Sequence, residues 1–275
     1  MRVYGAQLTD ITDRSTRDLG VVSGRRHSTD IAHPIRLTHG YSVAVGEMPW
    51  WIHHGGHYPY LVDDFEGTLK WRQNSGTISK AADQSYVHDG SYAMKMVTAA
   101  TAGSIAEAWW RGPGMRTDPT YYCLELWWAL SAASQDTPRE FAVMWEIEDR
   151  ERGEATRFGF RYWNYDTGVA KNKLQYWTSA GAWADLHIIP YYIDITLPQW
   201  HYLLFVLRNS GGTERFRYYY MNMDTRAVYV PTADGEAYTY SRPRTDVTIY
   251  CSTDAAAATT AYVDDFGLWA GTSMV

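Results

Sequence analysis

Residues 141–148 read Phe-Ala-Val-Met-Trp-Glu-Ile-Glu, with Phe141, Val143, Trp145 and Ile147 at every second position. A period of two sends one face of an extended strand into a core and leaves the other outside. Residues 157–162 repeat the period, with charged or small residues alternating with aromatic ones. Further strand candidates follow at short spacing: 88–98, 105–111, 121–131, 140–148, 155–162, 173–178, 201–207, 215–221, 247–251 and 261–268. Turn signals punctuate them, among them Asp89-Gly90, Ala180-Gly181, Asp234-Gly235 and residues 149–153. No long helical period intervenes. Many strands with short connections specify an all-β antiparallel sandwich rather than βαβ units.

With 275 residues the chain has room for one large sandwich and an arm. Residues 61–275 carry the regular strand signals. Residues 1–60 read as an extended arm or small β-extension, with short β-like pieces between polar turns. Such a segment buries its apolar residues only against a partner surface, its own sandwich or another subunit. The start of the chain has no apolar signal core, so export through its own leader is not expected. No apolar run is long enough for a membrane-spanning helix. A net charge of −6 argues against nucleic acid, which needs concentrated Lys and Arg. Cys123 and Cys251 both lie in apolar strand-like stretches. They pair if their strands are neighbours and are otherwise buried thiols.

The chain has 13 Trp and 22 Tyr, more than a core of this size needs. Trp109, Trp110, Trp127, Trp128, Trp163, Trp177 and Trp183 lie in or near strand candidates. In an adjacent pair one ring points inward and the other outward. Outward rings suit stacking on sugar or anchoring of a subunit interface, and Tyr218-Tyr219-Tyr220 offers the same choice.

Acidic residues mark both ends of the sandwich: Asp63, Asp64 and Glu66 at its first strand, Asp264 and Asp265 at its last. Carboxylates gathered at strand ends suit a hard cation such as Ca²⁺. They equally form a solvated acidic edge that blocks strand addition. The run Glu146-Ile147-Glu148-Asp149-Arg150-Glu151 offers spaced carboxylates, and its second half reads as a polar hairpin turn. His53, His54 and His57, with His27, His33 and His39 upstream, offer metal ligands but sit in a glycine-rich segment that favours a solvated loop. No phosphate loop, dinucleotide fingerprint or Ser-His-Asp pattern is present.

Asp64-Phe65-Glu66-Gly67, then His88-Asp89-Gly90-Ser91-Tyr92-Ala93-Met94-Lys95, and finally Tyr262-Val263-Asp264-Asp265-Phe266, resemble the first and last strands of jelly-roll carbohydrate-binding modules. The middle, with Lys173–Trp177, Gly181 to Trp183 and Trp200 to Leu203, is similar to concanavalin A-like domains. The resemblance implies a jelly-roll, concanavalin A-like β-sandwich. It implies a structural calcium held by Glu66 and Asp265, with Asp264 as the alternative. Glu146 to Glu151 resembles the E-x-D-x-x-E signature of one concanavalin-like glycosidase family, but Glu148 replaces the Asp and charged residues replace apolar ones. Domains with such an arm and no leader also resemble accessory proteins of tailed-phage virions. The leading expectation is therefore a non-enzymatic structural or decoration protein on a particle surface, forming a homo-oligomer through its arm and aromatic surfaces. The alternative is a carbohydrate-binding module that stacks glycan on outward Trp and Tyr; a glycosidase or lyase comes third.

Overall fold

The computed structural model describes residues 34–36, 42–44, 58–82, 86–113, 121–131, 139–148, 154–164, 173–188, 200–209, 216–223, 226–228, 233–239 and 244–271. The alternating segments form strands that pair antiparallel throughout. Most of the expected arm lies outside the described residues. Within it, β1 (Pro34–Arg36) and β2 (Ser42–Ala44) form a separate two-stranded sheet.

Two eight-stranded sheets make the sandwich. The strands before residue 149 are β3 (Tyr58–Asp63), β4 (Arg72–Ser75), β5 (Thr77–Ala81), β6 (Ala93–Val97), β7 (Ser104–Pro113), β8 (Tyr121–Leu130) and β9 (Arg139–Glu148). Those after it begin with β10 (Glu154–Asn164), β11 (Lys173–Trp177), β12 (Trp183–Ile188), β13 (His201–Asn209) and β14 (Phe216–Met223). The last four are β15 (Arg226–Val228), β16 (Glu236–Thr239), β17 (Arg244–Thr253) and β18 (Thr260–Gly271). The front sheet runs β12-β11-β10-β9-β17-β7-β4, with β16 also on β10. The back sheet runs β15-β14-β13-β8-β18-β6-β5, with β3 also on β18. Neighbours in each sheet are mostly distant in sequence, as in a jelly-roll, concanavalin A-like sandwich.

The core lies between the sheets. Phe141, Val143, Trp145 and Ile147 of β9 are fully buried and meet Leu124, Leu126 and Trp128 of β8 in one cluster. Trp128 stacks on Phe141 at 4.7 Å, and Phe158 meets Tyr218 edge to face at 4.9 Å. Cys123 belongs to the back sheet and Cys251 to the front; both are buried free thiols, so they are not partners. Burial pushes the Cys251 thiol up to about 12 and raises that of Cys123.

The first and last strands of the sandwich pair, with Asp63 opposite Phe266. Along the same edge, β18 pairs with β6 over residues 260–263 and with β3 from Phe266 onward. The change of neighbour falls at Asp264-Asp265. The candidate strand 88–98 begins only at Ala93. Backbone N–H groups of His88, Asp89, Ser91 and Tyr92 donate to carboxylates instead of a ladder, so this stretch is a loop.

Candidate functional site

The outer face of the front sheet carries the densest set of functional side chains. Strand registers align Arg72, Trp109, Thr248, Met144 and Gly159 in one row across β4, β7, β17, β9 and β10. Trp177 follows beside Gly159 and pairs with Trp183. Between the indoles of Trp109 and Trp177 the row holds Thr248, Met144 and Gly159, all smaller than an indole. With strands about 4.8 Å apart, β7 to β11 spans roughly 19 Å. The row is thus the floor of a trough with an aromatic wall at each end.

Parallel rows form the sides. One holds Arg111, Asp246, Glu146, Arg157 and Glu236; the other holds Glu107, Tyr250, Ala142, Arg161, Gln175 and Asp185. Arg111 donates to both oxygens of Asp246 at 2.8 and 3.1 Å. Arg157 lies between two carboxylates, donating to Glu146 at 2.8 Å and Glu236 at 3.3 Å. Arg161 donates to Glu140 at 2.9 Å and to the Gln175 carbonyl oxygen at 2.5 Å. Tyr250 and Ser252 donate to the two oxygens of Glu140 at 3.0 and 3.2 Å. Beside them an open groove of about 310 Å³ runs past Ile105, Glu107 and Glu140. Ile105 is one of two exposed large hydrophobic residues among those described.

Charged groups also set the rings. Trp109 has the Arg72 and Arg111 guanidiniums 5.2 and 4.9 Å from its centroid. Arg161 lies 4.6 Å from the Trp183 centroid. Trp163, in the next row with Glu140 and Lys173, has Arg161 at 5.5 Å and Lys173 at 5.4 Å. Trp177 meets Trp183 edge to face at 5.0 Å and donates its indole N–H to Glu236 at 2.6 Å. Rings held this way lose little freedom when a ligand stacks on them.

Gly159 lets the Met144 sulfur and the Trp183 ring lie directly against the strand, so those side chains surface the floor at this point. A Cβ there would stand 2.5 Å from the Met144 sulfur and 3.0 Å from both Trp177 and Trp183. Along one edge of β10, β16 covers residues 154–157 and β11 covers 160–163. The Tyr218 hydroxyl enters from the opposite sheet at the gap between them. It accepts from the Gly159 N–H at 2.7 Å and lies within donating reach of the Gly159 and Trp177 carbonyls at 3.1 and 2.9 Å. Burial raises its pKa far above the ordinary phenol value, so it stays a neutral hydroxyl.

The acidic residues do different work. Glu66 Oε1 accepts the Ser91 and Tyr92 N–H groups at 2.5 and 2.9 Å. Asp264 Oδ2 accepts those of His88 and Asp89 at 2.9 and 3.3 Å, and its Oδ1 that of Asp265. Asp265 pairs with His88 Nδ1 at 2.7 Å. His88 in turn stacks on Trp127 at 4.0 Å, and Tyr86 on Tyr262 at 4.2 Å. These carboxylates pin the 86–92 loop over the outer face of the back sheet. Gly90 (φ +76°) passes so close to Glu66 that a Cβ would collide with its carboxylate. Asp265 (φ 47°) and Phe65 (φ 56°) hold left-handed backbone that side chains disfavour. Burial raises the pKa of Asp264 and Asp265, and the pair raises Asp264 further. As placed, Glu66, Asp264 and Asp265 face N–H groups and an imidazole. Among the described residues no group of three or more His, Cys, Asp or Glu is arranged for a metal ion.

Of the seven tryptophans singled out, Trp109, Trp163, Trp177 and Trp183 face outward on the front sheet. Trp128 is fully buried and Trp110 packs against the core, so these two are structural. Trp127 lies on the other sheet under His88. Glu146 reaches the trough wall, where Arg157 holds it; Asp149, Arg150 and Glu151 lie outside the described residues, as do all six histidines of the N-terminal group. Tyr218 is core, and the side chains of Tyr219 and Tyr220 lie outside the described set. The Arg–carboxylate walls and the Tyr218 clamp were not anticipated. The alternation in residues 157–162 was their one visible trace.

No protein-family model and no curated protein matches the sequence. Similar solved structures include the Emp46p carbohydrate recognition domain in its potassium-bound form. It is 11% identical with TM-score 0.48, covering 76% of this chain and 95% of that one. A carbohydrate esterase of Shiga toxin-encoding bacteriophage phi24B is 16% identical with TM-score 0.48, covering 78% and 100%. TmCBM61, solved with beta-1,4-galactotriose, is 12% identical with TM-score 0.36, covering 77% and 97%. Likenesses this distant do not say what the present chain binds. No helix among the described residues is long and apolar enough to cross a membrane.

Proposed function

We propose that the domain binds glycan chains, laid across the strands along the trough of the front sheet. The observation that carries this reading is the single row from Trp109 through Thr248, Met144 and Gly159 to Trp177 and Trp183. Indoles at both ends offer apolar faces to sugar rings, and the polar sides offer donors and acceptors to hydroxyl groups. The reading is one of binding without turnover. A retaining glycosidase places two carboxyl groups about 5–5.5 Å apart across the scissile bond; here the Arg157 guanidinium lies between Glu146 and Glu236.

Titration of the full chain with a polysaccharide panel tests it. Binding to at least one glycan is expected, with no new reducing ends released. Trp177→Ala should weaken binding by about 2 kcal/mol, the scale of a central aromatic anchor. No binding across the panel, or unchanged affinity in this variant, rejects the trough as the site.

A further inference from the structure

We propose that the trough selects uncharged glycans and rejects polyuronates and sulfated chains. This rests on the glycan-binding reading and names the ligand class of the same site. The described cations of this face are Arg72, Arg111, Arg157, Arg161 and Lys173. The carboxylates among the same described side chains are Glu107, Glu140, Glu146, Asp185, Glu236 and Asp246, so among these negative charge exceeds positive.

Pairing matters more than the balance. Arg111 spends two N–H groups on Asp246, and Arg157 joins Glu146 to Glu236. Arg161 is committed to Glu140 and Gln175, and Lys173 lies 3.4 Å from Asp185. Arg72 lies over the Trp109 ring. A uronate or sulfate recognised by a guanidinium needs its planar fork, often in bidentate form. At Arg111, Arg157 and Arg161 it would have to displace a carboxylate already bound and then sit beside it, like charge against like charge.

A sugar hydroxyl meets no such conflict. It donates to one partner and accepts from another. It can therefore bridge a carboxylate and a neighbouring N–H without breaking the ion pair. Both walls mix these groups along their length: Asp246, Glu146, Arg157 and Glu236 on one side, Tyr250, Arg161, Gln175 and Asp185, with Ala142 among them, on the other. The floor between them, Thr248, Met144 and Gly159, carries no charge.

Native electrophoresis of the full chain through gels containing one polysaccharide each tests the proposal. The gels hold neutral β-glucan, galactan or xylan, alginate, polygalacturonate, heparin or chitosan, each at low and high salt. Retardation by a neutral polymer, little changed by salt and at least tenfold weaker in Trp177→Ala, is the expected result, with none by the polyanions. Polyanion retardation that salt weakens and Trp177→Ala abolishes would overturn this inference and leave the glycan-binding trough standing; binding to chitosan alone would do the same. Retardation by no polymer would overturn both. The melting temperature of Trp177→Ala, compared with the parent, separates lost binding from lost fold.

Discussion

At the scale of single residues, the Tyr218 hydroxyl decides more than its size suggests. It satisfies backbone groups of Gly159 and Trp177 where the β10 ladder is interrupted. A buried N–H left without its acceptor costs about 1–3 kcal/mol. Tyr218→Phe should therefore lower stability by about that amount in urea titration. It should also weaken glycan binding, because Trp177 loses the bond that fixes its backbone. Unchanged tryptophan fluorescence and unchanged affinity would confine Tyr218 to the core. Gly159→Val should push the Met144 sulfur and the Trp177 and Trp183 side chains out of place and so disturb the floor, and the expected loss of binding is at least tenfold. The measurement is the same polysaccharide titration. Unchanged affinity would mean that the floor does not touch ligand.

At the scale of elements, the meeting of β3, β6 and β18 is held by carboxylates whose protonation matters. Burial raises the folded-state pKa of Asp264, first by desolvation and then through Asp265. The native state then binds the proton more tightly than the unfolded chain. Stability from this group is complete below the unfolded value near 4 and declines as pH rises toward the folded value, by at most about 1.4 kcal/mol per pH unit. In chelator, the melting temperature should fall across that window, and Asp264→Asn should flatten the slope. Calcium at Glu66, Asp264 and Asp265 remains a separate proposal. What supports it is the desolvation of Asp264 and Asp265 and the buried Asp63 Oδ2, which has no hydrogen-bond partner. A cation would draw oxygens from their present N–H partners and relieve the charge. The expected outcome is a higher melting temperature with calcium and a lower one with chelator; an identical melt in both removes the proposal.

At the scale of the whole molecule, two thiols report on the sandwich. Cys123 and Cys251 are buried in different sheets, with raised pKa values. Neither should react with a thiol reagent at pH 8 until the domain unfolds, and both should then react together. Early labelling of Cys123 alone would mean that the back sheet opens independently. Assembly into a particle through residues 1–60 is likewise a proposal of this scale. It expects an oligomeric mass for the full chain by mass photometry, and a strictly monomeric mass at high concentration rejects it.

Strand content and the sandwich class were legible in the sequence, because alternation and turn residues act locally. Phe141 to Glu148 encodes its inner and outer faces in the order of its side chains, whatever it pairs with. The same local logic separated Trp127 from Trp128. It could not say which outer face would hold the site, because that depends on pairing between strands far apart in the chain. Trp109 and Thr248 are neighbours only through the β7–β17 register, and Arg157 meets Glu236 only through β10 and β16. Tyr218 reads as one of three consecutive tyrosines until the opposite sheet supplies Gly159. Of the seven tryptophan candidates, alternation turns Trp110 and Trp128 inward, and strand pairing puts Trp127 on the back sheet and the other four together on the front. Local residue order set which side chains faced out, and tertiary register decided which of them stand together.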